Sequence, residues 1–380
     1  MAPSPSTTRA EADSWAVDRA VSLLEVWALV AAFSGLVGAW QLLGVCRAAR
    51  AGAKEFLGTL PRLVVCGGYS SVGTPRQRTV SAVWGLDLAT MRWEAMPALL
   101  RARERPACCA VRGALVVLGG LTPSTTSPDP RQLQRYYRSS RVEILSKGGG
   151  AFVELPPLSC GAICGAVVIA VDESHSALGQ VLLLGGKRTS HVGMYTSILS
   201  AQLVDLATGV CTLQADLLHT PKLLAAVRLP DGGIACIGGA DIEGLSTWDR
   251  WGRPVQGALD AAWTWRRMPA MSIWRDGCSG CVLSDGRFAV LGGYSTGRAF
   301  TSSCEALTLG GDEHWSPLPS MHDSRVICAC VTVAGCIIVA GGLPQRESAE
   351  VFDEVLGRWL RLPHDLSLNG GVEITGGALL

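Results

Sequence analysis

ALVVLGG at 114–120 and CIIVAGG at 336–342 are two copies of one pattern, an apolar run that ends in a pair of glycines. The first glycines of successive copies are separated by 52, 66, 53, 54 and 49 residues. Recurrence at a period of about 50 residues predicts a repeat architecture. The four other copies are LVVCGG (63–68), VLLLGG (181–186), GIACIGG (233–239) and RFAVLGG (287–293).

A second signal follows the glycine pairs: an aromatic residue and, four positions later, a proline. In the third repeat Cys211 takes the place of the aromatic residue and the proline is missing. A third signal is an aspartate six residues before the aromatic position, at Asp87, Asp205 and Asp353. The aromatic–proline pairs are Trp93 and Pro97, Phe152 and Pro156, Trp265 and Pro269, Trp315 and Pro319, and Trp359 and Pro363.

The physics of this unit predicts the fold class. Each repeat reads as four short strands, and a single four-stranded sheet cannot bury both of its faces, so sheets arranged radially around an axis cover one another. The sequence therefore predicts an all-β, six-bladed β-propeller. The glycine pairs permit positive φ and close approach of the backbone near the axis, and the aromatic residue is predicted to pack between blades. The tail 366–380 has the pattern of a first strand, so the C-terminus is expected to complete the first blade and seal the ring.

The glycine pair, the aspartate, the tryptophan and the trailing proline together resemble the kelch repeat. The resemblance covers roughly residues 63–380, with Leu86, Val204 and Phe352 where the family often has tyrosine before the aspartate. It implies a propeller whose loops after the glycine pairs lie on one face and bind a partner.

Composition excludes several classes of protein. The 380 residues carry 33 basic and 32 acidic side chains, a formal net charge of +1, which argues against a nucleic-acid-binding domain. An apolar fraction of 48% with 17% charged residues does not fit a disordered chain. Seven of the fourteen cysteines stand in apolar runs, which is typical of buried free thiols in a reducing compartment, so we expect no disulfides. They are Cys108, Cys109, Cys236, Cys281, Cys328, Cys330 and Cys336.

The segment before the repeats is predicted to be helical. Residues 1–20 are a polar tail, 21–60 carry apolar helical patterns, and 61–380 are the propeller. Gly35 and Gly38 are expected to break the first helix, and 40–50 to form a second. The start Leu-Leu-Glu at 23–25 and the later Leu-x-x-Val-Cys-Arg resemble an F-box, although that family's usual proline is replaced by Leu24. The resemblance implies binding to a Skp-type adaptor of a cullin scaffold through Leu24, Val26, Leu42, Val45 and Cys46.

Two other interpretations of this segment stay open. Residues 26–46 form a run of 21 residues without a charge, long enough to span a bilayer. The basic residues that follow it would leave the propeller in the cytosol. Alternatively, the segment is a helical hairpin that only packs against the ring.

Candidate catalytic and metal sites are sparse. Cys278 and Cys281 form a CxxC motif, but zinc needs four ligands and no second pair lies nearby, so these cysteines are predicted to be core residues. The six histidines are scattered, and no glycine pair opens a helix as a phosphate-binding loop would. We therefore expect no cofactor, no metal and no enzymatic activity.

The loops after the glycine pairs are the predicted partner-binding face. Basic residues outnumber acidic ones there, and all five tyrosines lie in these loops. Arginine pairs with carboxylates and phosphates, and Tyr and Arg are enriched in interface hot spots. The predicted partner is an acidic or phosphorylated client protein. The candidate residues are Tyr69, Arg76, Arg78, Arg135, Tyr136, Tyr137, Arg138, Lys187, Arg188, Tyr195, Arg253, Tyr294, Arg298 and Arg346.

Together these observations predict the substrate-recognition subunit of a cullin-type (SCF) ubiquitin ligase, located in the cytoplasm or the nucleus. The alternative is a non-enzymatic kelch scaffold, tethered to a membrane through residues 26–46.

Overall fold

A computed structural model describes two helices and a set of antiparallel sheets. The helices are Leu24–Leu42 (α1) and Arg47–Thr59 (α2). The described residues are 23–70, 78–123, 136–172, 176–189, 195–197, 200–216, 225–237, 248–252, 264–273, 275–295, 299–344, 347–363, 372–373 and 377–380.

Six four-stranded sheets, numbered here sheet 1 to sheet 6, account for most of the described strands. From the inner strand outward they are Gly377–Leu379, Leu63–Cys66, Val83–Asp87 and Arg92–Met96 (sheet 1); Ala107–Val111, Ala114–Leu118, Val142–Leu145 and Val153–Leu155 (sheet 2); Val167–Asp172, Gln180–Leu184, Ser200–Asp205 and Cys211–Asp216 (sheet 3); Ala225–Arg228, Ile234–Ile237, Trp248–Gly252 and Thr264–Arg267 (sheet 4); Ser279–Val282, Phe288–Leu291, Cys304–Thr308 and His314–Leu318 (sheet 5); Ala329–Val333, Cys336–Ala340, Ala349–Asp353 and Arg358–Arg361 (sheet 6).

The sheets form the ring of a β-propeller, as predicted. The inner strand of each sheet contacts that of the next, and the inner strand of sheet 6 contacts that of sheet 1, so the cycle closes. The blade count detected in this ring is five rather than the predicted six, whereas the hydrogen-bonded ladders define six sheets. Sheet 4 is the least completely described, because its two outer strands are bounded by residues outside the described ranges.

The C-terminal strand seals the ring, which confirms the predicted closure. Leu63 pairs with Leu379 and Val65 with Gly377 in an antiparallel ladder. The ladder is extended by two hydrogen bonds between Arg62 and Leu380, of 2.7 and 2.8 Å. The innermost strand of sheet 1 therefore comes from the C-terminal end of the chain, while the other three strands come from the first repeat.

The glycine pairs are required by the crowding between neighbouring sheets. Gly119 and Gly120 both have positive φ, of 63° and 96°. A Cβ at Gly119 would stand 2.5 Å from the carbonyl oxygen of Ile163 in the connection to sheet 3, and one at Gly120 3.0 Å from the oxygen of Glu104. A larger residue would push adjacent sheets apart, so the pair is both a conformational and a packing requirement.

The aspartate and aromatic signals also have structural roles. Asp353 Oδ1 accepts hydrogen bonds from the N–H groups of Val355 and Leu356, which holds the turn between the third and fourth strands of sheet 6. Asp87 and Asp205 hold the equivalent turns of sheets 1 and 3 in the same way. The aromatic residues pack between sheets, as predicted: the Trp359 side chain is buried next to sheet 5.

The helices pack against the end of the ring that is opposite to the glycine pairs. Leu36 N–H donates to the oxygen of Ala334 in the first turn of sheet 6, and Trp40 Nε1 donates to the oxygen of Leu88 beside sheet 1. Leu36 and Leu57 are buried in one core with residues of both sheets. The helical segment is thus built onto the ring where its two ends meet.

The helix boundaries differ from those expected. Gly35 kinks α1 with a φ of 69° and a ψ of −171°, but Gly38 stays helical and α1 continues to Leu42. The prediction of a second helix over 40–50 was therefore wrong. The second helix begins at Arg47, because the Cys46 sulfur caps it by accepting the Ala49 N–H.

Candidate functional site

A buried arginine joins sheet 6 to sheet 5. The Arg325 side chain is fully buried. Its Nη1 donates to the oxygens of Gly341 and Ser348, and its Nη2 lies 2.9 Å from Glu350 Oε1 in a salt bridge. Its own carbonyl accepts the N–H of Gly293 from sheet 5 at 2.7 Å. One residue thus links the glycine pairs of two neighbouring sheets.

The same arrangement recurs at sheets 2 and 5. Arg275 donates to the oxygens of Gly292 and Ser303 and pairs with Glu305 at 2.9 Å. Arg103 pairs with Glu143 and donates to the Gly119 oxygen. We call the place occupied by Arg103, Arg275 and Arg325 the junction position. Buried ionised groups need partners of this kind, so these networks hold the ring in one geometry, although the Arg103 Nε has no hydrogen-bond partner among the described residues.

Sheet 3 has a different junction. Ile163 occupies the junction position, since its oxygen accepts the Gly120 N–H at 2.9 Å just as Arg325 accepts that of Gly293. Gln202 stands where the other sheets have glutamate, and its Oε1 is buried without a hydrogen-bond partner among the described residues. The loss of the arginine is matched by the loss of the carboxylate.

The loops after the glycine pairs leave the ring at the end where the inner strands begin. Short two- and three-residue strands form the bases of these loops, beyond the glycines. The short ladders pair Leu121–Pro123 with Tyr136–Arg138, Lys187–Thr189 with Ile163–Cys164 and Tyr195–Ser197, Tyr69–Ser70 with Arg78–Thr79 and Val372–Glu373, and Arg325–Val326 with Leu343–Pro344.

The structure describes the side chains of four predicted binding residues. Tyr137 is 52% exposed and Lys187 is exposed, whereas Arg138 and Tyr294 are half-buried. The Tyr294 ring packs on Phe300 with centroids 5.1 Å apart. For Tyr69, Arg78, Tyr136, Arg188 and Tyr195 only the backbone in the short strands is described, and Arg76, Arg135, Arg253, Arg298 and Arg346 lie outside the described residues. The binding role of this set stays a prediction.

A cavity of about 200 Å³ lies on the axis at the same end. Every inner strand contributes to its wall or begins beside it. Backbone and small side chains dominate the lining, and Arg105 is its charged residue. Representative lining residues, from sheet 1 to sheet 6, are Gly377, Pro106, Val167, Ala225, Ser279 and Ala329.

A ring of left-handed residues surrounds the cavity, two positions after each described junction residue. Arg105 has a φ of 51° and Ile327 one of 57°, while Gly165 and Gly277 stand at the equivalent positions of sheets 3 and 5. The Gly165 N–H donates to the Arg105 oxygen, and the Ile327 N–H to the Gly277 oxygen. A β-branched residue with positive φ is a true outlier, and such strain tends to cluster at functional sites.

The thiols at the cavity are not reactive nucleophiles. Burial raises the pKa of Cys278 to about 12 and also raises that of Cys328. Cys278 and Cys281 are both buried in the core, as predicted for this CxxC motif. Within the described ranges no three His, Cys, Asp or Glu side chains are grouped so that they could hold a metal ion.

The predicted adaptor-binding residues are partly exposed. Val45 is 61% exposed and Cys46 is also exposed, Leu24 is exposed, and Val26 and Leu42 are half-buried. Sequence reasoning missed the more prominent residues, namely Leu29 at 60% and Phe33 at 91% exposure. With Val30 they form what we call the apolar helix patch on α1, which faces away from the ring. Their helical spacing was visible in the sequence, but which side of the helix the ring covers was not.

Sequence reasoning also missed the junction networks. Their signal was present: Arg103, Arg275 and Arg325 each follow the proline of an aromatic–proline pair by six residues. Each arginine donates to a backbone oxygen, and the glutamate with which it pairs stands two residues after that position in the sequence. The glutamates are Glu143, Glu305 and Glu350. Charged residues in strands read as solvent-exposed, so their burial was not expected.

Comparisons with known proteins support the fold alone. No family model and no curated protein sequence matches the chain. Among solved structures, the chain is similar to the structure of YjhT, with a TM-score of 0.57 and 12% sequence identity over 80% of this chain and 98% of that chain. At this identity the similarity concerns the propeller architecture, which the two chains share.

Proposed function

We propose that this protein is a non-enzymatic, kelch-type propeller that acts as the substrate-recognition subunit of a cullin-type ubiquitin ligase in the cytoplasm or nucleus. The propeller fold is consistent with protein binding. The apolar helix patch is the observation that carries the proposal, because large exposed apolar side chains grouped on one helix are typical of an interaction site. Through the F-box-like segment that carries this patch, the protein would bind a Skp-type adaptor of the cullin scaffold.

The placement of the two surfaces supports this division of roles. The helices contact turns at one end of the ring, through Ala334 and Leu88, while the loops after the glycine pairs leave from the other end. An adaptor bound to the helices would leave the opposite face open to a client. The mechanism is proximity: the bound client lysine is held near a ubiquitin carrier, and this chain performs no bond chemistry.

Co-purification with a Skp-type adaptor tests the adaptor role. We expect full-length protein to retain the adaptor, and the Phe33→Asp variant to lose it by a factor of about 30, the cost of a hot-spot residue. Val355→Asp is the matched control, because Val355 is 92% exposed on the third turn of sheet 6 and outside the patch. Absence of adaptor from the wild-type complex, or equal losses in both variants, would contradict the proposal.

The client face is tested with peptides. A basic, tyrosine-rich face should retain an acidic or phosphorylated peptide over a charge-neutral one of equal length. Lys187→Glu should weaken this preference, while Lys54→Glu, an exposed lysine on α2 at the opposite end of the ring, should not. Equal recovery of acidic and neutral peptides would contradict the predicted client class.

A membrane-tethered scaffold is the second candidate. Among the described helices, α1 is long and apolar enough to cross a membrane by length and composition. Its second half, including Leu36 and Ala39, is buried against the ring, so a span would have to detach from it. Flotation of full-length protein with phosphatidylcholine vesicles would favour the membrane tether. A protein that binds the adaptor and does not float with the vesicles would favour the ligase subunit.

A further inference from the structure

The outer strand of sheet 3 lacks an anchor that sheets 5 and 6 possess. In those sheets the indole N–H of Trp315 or Trp359 donates to the oxygen of Pro269 or Pro319, each at 2.8 Å. Each bond ties the outer strand to the connection from the preceding sheet. In sheet 3 the equivalent residue is Cys211, whose side chain has no indole N–H to make this hydrogen bond.

A second cysteine stands where the missing anchor would act. Cys160 lies in the connection between sheets 2 and 3, and its thiol is within hydrogen-bonding contact of the Cys211 sulfur. The neighbouring Ser159 fixes the two segments together: its Oγ accepts the Cys211 N–H at 2.8 Å, and its N–H donates to the Gly209 oxygen at 2.9 Å. Both thiols are half-buried and so accessible to a small reagent.

The environment also prepares one thiol for reaction. The hydrogen bond from the Cys160 side chain, aided by the Cys160 N–H and by Ser159, lowers the pKa of Cys211 to about 6. These contacts favour the thiolate form of Cys211 more than in an ordinary cysteine. The thiolate is the nucleophile in thiol–disulfide exchange, and a half-exposed position gives it access to a disulfide.

We propose that Cys160 and Cys211 form a redox-active dithiol that reacts with low-molecular-weight disulfides. The Cys211 thiolate attacks one sulfur of the reagent, forms a mixed disulfide and expels one thiolate. Cys160 then loses its proton to water and attacks the Cys211 sulfur, which expels the second thiolate. The reagent disulfide is reduced to two thiols, and the two cysteines are oxidised to one disulfide. The product restores, covalently, the link between the outer strand of sheet 3 and the preceding connection.

Other close thiols lack these conditions. The sulfurs of Cys66 and Cys108 are 2.8 Å apart, but Cys66 is buried between sheets 1 and 2, and the contact with Cys66 together with burial raises the pKa of Cys108. A neighbouring Cys281 raises the pKa of Cys330 in the same manner. Proximity alone therefore does not select the reactive pair; proximity with exposure does.

Peptide mapping of the native protein tests the proposal without any substitution. Reduced full-length protein is incubated with glutathione disulfide, its free thiols are alkylated, and the digest is analysed by mass spectrometry. We expect one disulfide-linked pair of peptides that contain Cys160 and Cys211, while Cys66 and Cys108 are recovered as free thiols. Recovery of Cys160 and Cys211 as two alkylated thiols, under conditions that glutathionylate the exposed Cys46, would overturn the proposal.

Single variants identify the attacking thiol. Cys160→Ser should trap Cys211 as a stable mixed disulfide with glutathione. Cys46→Ser is the control and should leave the Cys160–Cys211 disulfide unchanged. Failure of Cys211 to accept glutathione in the Cys160→Ser protein would also overturn the proposal.

Discussion

Sheet 6 and sheet 3 occupy equivalent places in one ring, yet they are joined to their neighbours by different chemistry. Sheet 6 uses the buried Arg325–Glu350 pair and the Trp359 indole. Sheet 3 has Ile163 and Gln202 at the first two positions and Cys211 at the third. The backbone hydrogen bond to the glycine pair is kept in both. The comparison teaches that the backbone contacts define the ring, while the side chains decide how rigidly each sheet is held.

The largest expected effect comes from breaking a junction network. Arg325→Met should lower the free energy of unfolding by about 3–5 kcal/mol, because it leaves the Glu350 carboxylate buried without its cation. Chemical denaturation measures the change. Gln202→Leu, at the place in sheet 3 that Glu350 has in sheet 6, is the control and should change stability by about 1 kcal/mol or less. It removes an Oε1 atom that lacks a partner among the described residues and a single hydrogen bond, from Nε2 to Ser200 Oγ.

A double variant sharpens this prediction. Adding Glu350→Leu to Arg325→Met should recover part of the lost stability, because it removes the unpaired buried carboxylate. The recovery should be incomplete, because the backbone groups that the arginine and the glutamate bind lose their partners. A loss below about 1 kcal/mol for Arg325→Met alone would show that the junction arginine is dispensable, as it is in sheet 3.

The tryptophan anchor has a smaller expected effect. Trp359→Phe should cost about 2 kcal/mol, about half from the lost hydrogen bond to Pro319 and the rest from the smaller ring. Trp93→Phe in sheet 1 is matched, because the Trp93 Nε1 is buried with no hydrogen-bond partner among the described residues. Thermal unfolding should show a smaller loss for Trp93→Phe, and equal losses would contradict a role for the indole N–H.

The smallest expected effect lies at the axis. Gly165→Ala in sheet 3 should cost about 1 kcal/mol, because an alanine at its φ of 63° is strained. A Cβ there would meet no atom within 4 Å, so the measured loss in denaturation reports the backbone alone. Gly120→Ala adds a close contact with the Glu104 oxygen and should cost more. No loss at Gly165 would show that the left-handed ring is unstrained.

Several structural predictions rested on local chemistry and were confirmed. The apolar runs with their glycine pairs predicted the second strands, and Asp87, Asp205 and Asp353 predicted the turns. The strand-like tail predicted the closure between Leu63 and Leu379. Each of these predictions depends on a few neighbouring residues, whose conformational preferences do not require contacts with distant parts of the chain.

Other features could not be predicted, because they depend on what packs beside them. Gly38 reads as a helix breaker, but the packed α1 keeps it helical. Arg325 reads as a surface residue, but the glycine oxygens and Glu350 bury it. Cys160 and Cys211 are fifty-one positions apart in the sequence, so only the folded ring brings their thiols together.

By itself, the sequence determined the repeating four-stranded unit and its closure by the C-terminus, because both depend on short patterns of neighbouring residues. It also determined the formal net charge of +1, because charges simply add along the chain. The tertiary structure alone decided which charges are buried, which side of α1 stays exposed and which cysteines come together. Those properties arise from solvent exclusion and from contacts between distant segments, and neither exists until the sheets have closed around the axis.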